Sequence, residues 1–132
     1  MPEAAGLIGH GVDLVEVARV GELLERHGSR FLQRCFSEAE QAYAEAHPRR
    51  RIEHYAARFA VKEAAAKALG TGISGGITFT DFCVQREVSG QPTLLVSGVA
   101  AELAAQRGIA DWWVSISHTG RHAMASVIAS RG

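Results

Sequence analysis

Residues 58–70, RFAVKEAAAKALG, decide the fold, because they complete the longest periodic segment of the chain. The apolar stripe of this segment consists of Ile52, Tyr55, Ala56, Phe59 and Ala60. Apolar residues at intervals of three and four are typical of a helix that packs one face against a core. Glycine is the residue that most often follows the end of a helix. The sequence therefore predicts one long central helix that closes at Gly70.

The segments around this helix predict an α+β fold. Strand-like runs lie at residues 7–13, 77–88, 93–97, 112–117 and 123–129. Further helical patterns follow the first strand as far as Gly28, begin at the capping-box pair Ser37 and Glu40, and cover residues 99–107. We therefore expect a single domain over residues 1–132, in which an antiparallel sheet packs against the long central helix.

Composition limits the class of protein. The chain has 132 residues, 47% of them hydrophobic and 21% charged, which fits one globular domain and argues against a disordered or fibrous chain. No apolar run approaches the roughly 20 residues of a membrane span, and the first residues lack a signal-like pattern. Fourteen basic and fourteen acidic residues cancel. We expect a cytoplasmic protein with neither a membrane nor a nucleic acid as partner.

Charged residues stand on the central helix at helical spacing. Arg58 is one turn from Lys62, and Glu63 is one turn from Lys67. Phe59 and Glu63 are also four apart, so the apolar stripe leads into Glu63 and Lys67 and places both at or near the buried face. A carboxylate is rarely buried without a partner, which favours a functional site. A solvated set of ion pairs along the helix is the alternative.

The lysines themselves point to phosphate. Lys62 and Lys67 are the only lysines of the chain, against twelve arginines. A lysine ammonium is a compact point charge, which suits phosphates crowded against a metal ion better than the broad guanidinium fork does. The two lysines five positions apart therefore indicate a site for an anionic substrate.

Two further residues lie where a strand is predicted to end. Asp13 stands at the end of the first strand, where a carboxylate can bind a hard cation such as Mg²⁺ together with Glu63. A helix N-cap is the alternative for Asp13. His118 stands where a strand meets a turn and can bind phosphate or transfer a proton, or else lie at the surface. Ser117 beside it points to the opposite face of the strand, which argues against a serine hydrolase.

Three segments taken together resemble one protein family. GVDLVEVAR (residues 11–19), RFAVKEAAAKALGTG (58–72) and VSISHTG (114–120) stand in the order found in the holo-acyl-carrier-protein synthases, the short class of 4′-phosphopantetheinyl transferases. The resemblance covers essentially the whole chain and implies the 4′-phosphopantetheinyl transferase fold. It also implies the reaction: transfer of 4′-phosphopantetheine from coenzyme A to a serine of apo acyl carrier protein, with 3′,5′-ADP released.

The resemblance also implies roles for the residues that match the motifs of the family. Asp13 and Glu63 would bind Mg²⁺, with Mn²⁺ as a substitute, and the ion would bridge to the diphosphate of coenzyme A. Lys67 would hold that diphosphate, and Lys62 would steady the transferred group close to the phosphates. Attack on a diphosphate needs charge neutralisation and alignment more than a protein nucleophile, which agrees with this set of residues.

The other end of coenzyme A has matching positions as well. Arg58, His118 and Thr119 would contact the 3′-phosphoadenosine. The serine that attacks belongs to the carrier protein, so a base must take its proton. Glu63 acting through a metal-bound water and His118 are the two candidates, and the sequence leaves the choice open.

Partners follow from the same resemblance. Chains of this class and length form homotrimers with active sites between subunits, so the GVD segment and the KEA helix are expected to face the ligand from neighbouring chains. Acyl carrier proteins are acidic, and Arg19 and Arg26 on the first helix are the expected docking residues. A solvated face of mixed charge is the alternative for these arginines. A module that binds nucleotide or carrier protein without catalysis is the alternative for the whole chain.

Overall fold

The computed structural model describes residues 6–132. Within that range five strands and five α-helices follow one another along the chain. They are β1 (Leu7–Glu16), α1 (Val17–His27), α2 (Ser29–Cys35), α3 (Glu38–Glu45), α4 (Arg51–Leu69), β2 (Phe82–Arg86), β3 (Pro92–Val96), α5 (Gly98–Gln106), β4 (Asp111–His118) and β5 (His122–Ser130).

The strands form two antiparallel sheets. Strands β1, β5 and β4 make a three-stranded sheet with β5 in the centre, and β2 pairs with β3 as a separate hairpin. Helix α4 packs against the inner face of the larger sheet, and most of its residues are buried. The predicted α+β architecture with one long central helix is confirmed, and the helix ends at Gly70, whose φ of 92° is left-handed.

Two glycines set how closely α4 lies on β1. Gly9 and Gly11 both face the helix. A Cβ atom at Gly9 would overlap the backbone carbonyl oxygen of Ala68, and one at Gly11 would overlap that of Ala64. Small residues on both sides therefore let the helix rest directly on the strand. This close packing holds the last turns of α4 next to the segment around Asp13.

The first strand is longer than predicted. It continues to Glu16, because its ladder with β5 runs on through the pair Glu16 and His122. Asp13 therefore lies inside the strand, opposite Ala125, and is not a helix N-cap. The N-cap of α1 is Glu16, which makes no side-chain capping bond.

Two smaller differences concern the middle of the chain. Helix α2 has no counterpart in the sequence prediction. The predicted strand over residues 77–88 begins only at Phe82, because Phe79–Asp81 form a short 3₁₀ turn. No helix in residues 6–132 has both the length and the apolar character that a bilayer span requires.

Candidate functional site

One group of predicted site residues meets between β1 and α4. Alternation along β1 turns Asp13 to the same side as Gly11 and Val15, which is the side covered by the helix. Lys67 Nζ lies 3.1 Å from Asp13 Oδ1 and also donates to the carbonyl oxygen of Val12 at 3.0 Å. Glu63 stands one helical turn before Lys67, half-buried. We call Asp13, Glu63 and Lys67 the carboxylate cluster.

The charges of the carboxylate cluster are not balanced. Burial raises the pKa of Glu63 above its ordinary value, and the carboxylate of Asp13 raises it further, while Lys67 lowers it in part. Two carboxylates that share a single ammonium favour a further cation.

The same residues suit a particular kind of metal ion. Residues 6–132 contain no group of three His, Cys, Asp or Glu side chains that could enclose a metal ion alone. Two carboxylates fit a hard ion such as Mg²⁺, which takes its other oxygens from water and from substrate phosphates.

A second group of predicted residues lies around Tyr43, near the start of α4. The guanidinium carbon of Arg58 is 4.2 Å from the centre of the Tyr43 ring, and the His54 ring meets the same ring edge-on at 5.1 Å. The His118 ring lies 6.0 Å from His54, and His118 Nδ1 is 3.8 Å from Glu53 Oε1. We call Tyr43, Glu53, His54, Arg58 and His118 the tyrosine cluster.

The tyrosine cluster is electropositive. Burial lowers the pKa of Arg58, and the neighbouring Arg86 lowers it further. Burial and then Arg58 lower the pKa of His54 to about 4. Within the described residues, Arg58 Nε and His54 Nδ1 are buried without a hydrogen-bond partner. Two guanidiniums that repel each other and lack a carboxylate partner among the described residues fit an anion bound nearby.

Lys62 does not lie where the sequence places it. Its side chain is fully buried, and its ammonium contacts Glu40 Oε1 at 2.8 Å, the carbonyl oxygen of Phe79 at 3.1 Å and that of Phe82. All three donors of the ammonium are used inside the protein. The predicted contact of Lys62 with the transferred phosphate is therefore not supported in this conformation, and we leave Lys62 out of the site.

Thr119 and Ser117 complete the last motif. Thr119 is exposed, and its Oγ1 accepts hydrogen bonds from the backbone N–H groups of Arg121 at 3.2 Å and His122 at 3.1 Å, which shapes the turn beside His118. Ser117 lies on the outer face of β4, opposite Met124, whereas His118 faces the inner side. A pair of Ser117 and His118 for ester hydrolysis has no structural support.

Both clusters lie within a range of the chain that matches one protein family. The model of a family described as the 4′-phosphopantetheinyl transferase superfamily matches residues 9–126, a range that includes both clusters. The chain belongs to this superfamily.

Members of the transferase superfamily resemble the chain over nearly its full length. A holo-[acyl-carrier-protein] synthase of Koribacter versatilis is 46% identical over 122 residues, which are 92% of this chain and 97% of the relative. The crystal structure of the Neisseria meningitidis synthase has a TM-score of 0.85 at 28% identity and covers 93% of this chain and 98% of its own. The Helicobacter pylori synthase in complex with coenzyme A has a TM-score of 0.81 at 30% identity, over 92% of this chain and 99% of its own.

The predicted docking residues of this transferase domain share one face of α1. Arg19 and Arg26 are exposed and line the same shallow surface depression together with Glu22 and Leu23. Beside it lies a larger groove of about 540 Å³ between α1, α2 and α4, which the sequence did not reveal. Leu23, His27, Arg30, Phe31, Arg34, Cys35, Phe59 and Phe79 line this groove.

Proposed function

We propose that the chain is a holo-acyl-carrier-protein synthase. It transfers 4′-phosphopantetheine from coenzyme A to a serine of apo acyl carrier protein and releases 3′,5′-ADP. The observation that carries the proposal is the carboxylate cluster, because Asp13 from the first motif meets Glu63 and Lys67 from the second and brings together two carboxylates and one ammonium. The names of the superfamily relatives agree with this reaction.

The carboxylate cluster would hold the metal ion and the diphosphate. Asp13 and Glu63 would bind Mg²⁺, for which Mn²⁺ can substitute, and Lys67 would bind the diphosphate of coenzyme A. When bound, the ion neutralises the diphosphate and stabilises the departing 3′,5′-ADP. Lys67 holds the diphosphate in line with the attacking serine, and its bond to Asp13 fixes its position.

The test of the reaction is direct. Apo carrier protein incubated with the chain, coenzyme A and Mg²⁺ is expected to gain the mass of phosphopantetheine in mass spectrometry, and EDTA is expected to prevent the gain. A carrier protein that remains apo under these conditions, with the chain folded, would remove the proposal. A binding module without catalysis predicts that result.

The tyrosine cluster would bind the other end of coenzyme A. Arg58 supplies positive charge without a carboxylate partner among the described residues, His118 lies nearby with Glu53 at 3.8 Å from its Nδ1, and Thr119 lies beside His118 at the turn. These three residues would contact the 3′-phosphoadenosine. Glu63 and His118 stay the two candidates for the base that takes the proton of the attacking serine.

Replacement of His118 separates its two possible roles. His118→Ala is expected to raise the KM for coenzyme A about tenfold, because a hydrogen bond to a charged phosphate is lost. The KM for dephospho-coenzyme A, which lacks the 3′-phosphate, is expected to change less than about twofold. Steady-state kinetics with both donors measure the difference. An equal fall in kcat with both donors would instead assign proton transfer to His118.

We also propose that the active site forms between subunits of a homotrimer. Glu63 and Arg58 are five residues apart, which turns them about 140° from each other around α4. The carboxylate cluster and the tyrosine cluster therefore lie on different sides of the helix. One coenzyme A molecule can contact both clusters if one chain supplies the carboxylate cluster and a second copy supplies the tyrosine cluster. The GVD segment and the KEA helix, in contrast, meet within one chain through Asp13 and Lys67. The expectation that the GVD segment and the KEA helix face the ligand from neighbouring chains is therefore wrong for Asp13 and Lys67.

The outer face of the large sheet is available for this assembly. Val12, Leu14, Trp113 and Met124 are exposed there, on the side away from α4. Exposed apolar side chains on one face of a sheet, even with polar side chains such as His10, Ser115 and Ser126 among them, favour contact with another copy of the chain.

We expect a trimeric mass in light scattering at assay concentrations, and Leu14→Glu is expected to yield monomers with little activity, because it places charge within the contact. Val88→Glu serves as the matched control, since Val88 is exposed in the turn between β2 and β3. A fully active monomer would contradict the trimer.

Carrier-protein docking is assigned to the arginine face of α1. Arg19→Glu is expected to raise the apparent KM for carrier protein roughly tenfold while the KM for coenzyme A changes little, because the carrier is acidic and the charge is reversed. Added salt screens the charges, so the KM for carrier protein of Arg19→Glu should move closer to that of the wild type. Arg26→Glu is expected to act in the same direction, and Arg131→Glu, at the far end of the sheet, is the control. An equal effect of Arg19→Glu on both substrates would contradict this docking face.

A further inference from the structure

Arg86 on β2 joins the tyrosine cluster from outside the three sequence motifs. Its guanidinium carbon lies 5.5 Å from the centre of the Tyr43 ring, the same ring that Arg58 covers at 4.2 Å. Arg86 Nη1 also donates to the carbonyl oxygen of Gly90 at 2.9 Å, across the hairpin turn. One aromatic ring and one turn of the chain therefore fix the position of an otherwise exposed arginine.

Arg86 also shares a cavity with His118. This cavity of about 270 Å³ lies between the hairpin and β4, and its walls carry Arg86, Gln91, Pro92, Val114, Ser115, Ile116 and His118. Side chains that donate hydrogen bonds thus stand on two sides of one space. The cavity connects Arg86 with the residue to which the proposed function gives the nucleotide end of coenzyme A.

The two arginines near this space, Arg58 and Arg86, have no carboxylate partner among the described residues. Glu53 stands next to His118, and Glu40 is bound to the buried Lys62. Arg86, which has no carboxylate partner among the described residues, and His118 face this space from two sides, so an oxyanion placed there would have a guanidinium and an imidazole within reach.

We propose that Arg86 is a further substrate-binding residue and that it holds the 3′-phosphate of coenzyme A in the space that it shares with His118. The planar fork of an arginine offers two parallel donors to phosphate oxygens, which gives geometric selectivity as well as charge. Arg86 thereby discriminates donors that carry the 3′-phosphate from donors that lack it. The inference rests on the proposed function, because it assigns a specific role within that coenzyme A site.

Isothermal titration with coenzyme A and with dephospho-coenzyme A tests the inference on the full chain with Mg²⁺. Arg86→Gln is expected to raise the Kd of coenzyme A about tenfold or more and that of dephospho-coenzyme A less than about twofold. Arg86→Lys keeps the charge and is expected to lose less of the discrimination than Arg86→Gln. Arg131→Gln, an exposed arginine at the far end of the sheet, is the control and should behave as the wild type.

The outcomes separate this inference from the function on which it rests. An equal loss for both ligands in Arg86→Gln would show that Arg86 acts through the hairpin bond to Gly90, and an unchanged Kd would show that it lies outside the site; either result overturns the inference. If the wild type discriminates between the ligands and His118→Ala reduces that discrimination while Arg86→Gln does not, the coenzyme A site stands and only Arg86 is wrongly assigned. A wild type that binds neither ligand would overturn the proposed function as well.

Discussion

Asp13→Asn and Glu63→Gln are each expected to reduce phosphopantetheine transfer by about a thousandfold or more, with the fold intact. Each change keeps the size of the side chain and removes one of the two carboxylates proposed to bind Mg²⁺. A metal ion contributes several kcal/mol of charge stabilisation to such a reaction, and each 1.36 kcal/mol changes the rate tenfold. Transfer rates at saturating Mg²⁺, together with circular dichroism as a check of folding, measure the effect.

The same variant of Glu63 is expected to stabilise the metal-free protein. Because the pKa of Glu63 is raised in the folded state, its neutral form is favoured there, and the resulting stability is lost as the pH rises through that raised pKa. Glu63→Gln removes this loss, so its Tm in EDTA should exceed that of the wild type at neutral pH. The difference should shrink as the pH falls below the ordinary pKa of glutamate.

A gain in stability with a loss of activity is the pattern of a functional carboxylate held beside another one. Lys67→Gln offers a contrasting variant, because it removes the cation that contacts Asp13. It should lower the Tm in EDTA and also slow transfer. Near-normal transfer in both Asp13→Asn and Glu63→Gln, with folding verified, would contradict the metal site.

The parts of the fold that the sequence predicts are those specified by neighbours in the chain. The central helix follows from a stripe of apolar residues and from a glycine at its end, both local signals. The start of α3 is equally local: Ser37 Oγ accepts from the backbone N–H of Glu40, and the Glu40 side chain accepts from the backbone N–H of Ser37. Strands β4 and β5 follow from alternation around a short turn.

The parts that the sequence did not predict depend on distant contacts. The end of β1 lies beyond Asp13 because β5, more than a hundred residues later, continues to pair with it. Tyr43 gives no local sign that it will stand between Arg58 and the hairpin, since a tyrosine at that spacing fits any helix that packs against a core. Asp13 and Glu63 could be proposed as metal ligands from the sequence because both belong to short motifs, whereas Arg86 belongs to none of them.

Lys62 is the clearest case of a residue whose role depends on a distant partner. On the helix it stands next to Glu63 and one turn from Arg58, which favours a place among the phosphates. Its actual partner, Glu40, is 22 residues away and is chosen because the capping box already turns that carboxylate inward. Glu40 Oε2 also accepts from the backbone N–H of Val84, so one carboxylate connects α3, α4 and β2.

The loss of this buried ion pair is expected to have a large effect on stability. Glu40→Ala leaves the Lys62 ammonium and the Val84 N–H without a carboxylate in a site that excludes water, which costs about 3–5 kcal/mol. Burial already lowers the pKa of Lys62, and Glu40 partly restores it, so the unpaired lysine would be held in its charged form at a greater cost. Urea unfolding monitored by tryptophan fluorescence gives the change. Arg51→Ala, which breaks the half-exposed pair with Glu45 and leaves the Tyr55 hydrogen bond to Glu45 in place, is the control and should cost about 1 kcal/mol or less.

The double variant Glu40→Leu with Lys62→Met decides whether the lysine is structural or catalytic. A buried ion pair replaced on both sides by apolar residues of similar volume is often close to neutral in stability, because neither charge then has to be desolvated. The double variant should therefore recover most of the stability that Glu40→Ala loses, apart from the cost of the freed Val84 N–H and Ser37 N–H groups. If Lys62 only fills the interior, transfer kinetics in the double variant stay within a few-fold of the wild type, measured at saturating coenzyme A and carrier protein. A folded double variant with transfer reduced a hundredfold or more would instead mean that Lys62 leaves Glu40 during turnover and reaches the phosphates, as its place in the KEA motif first suggests.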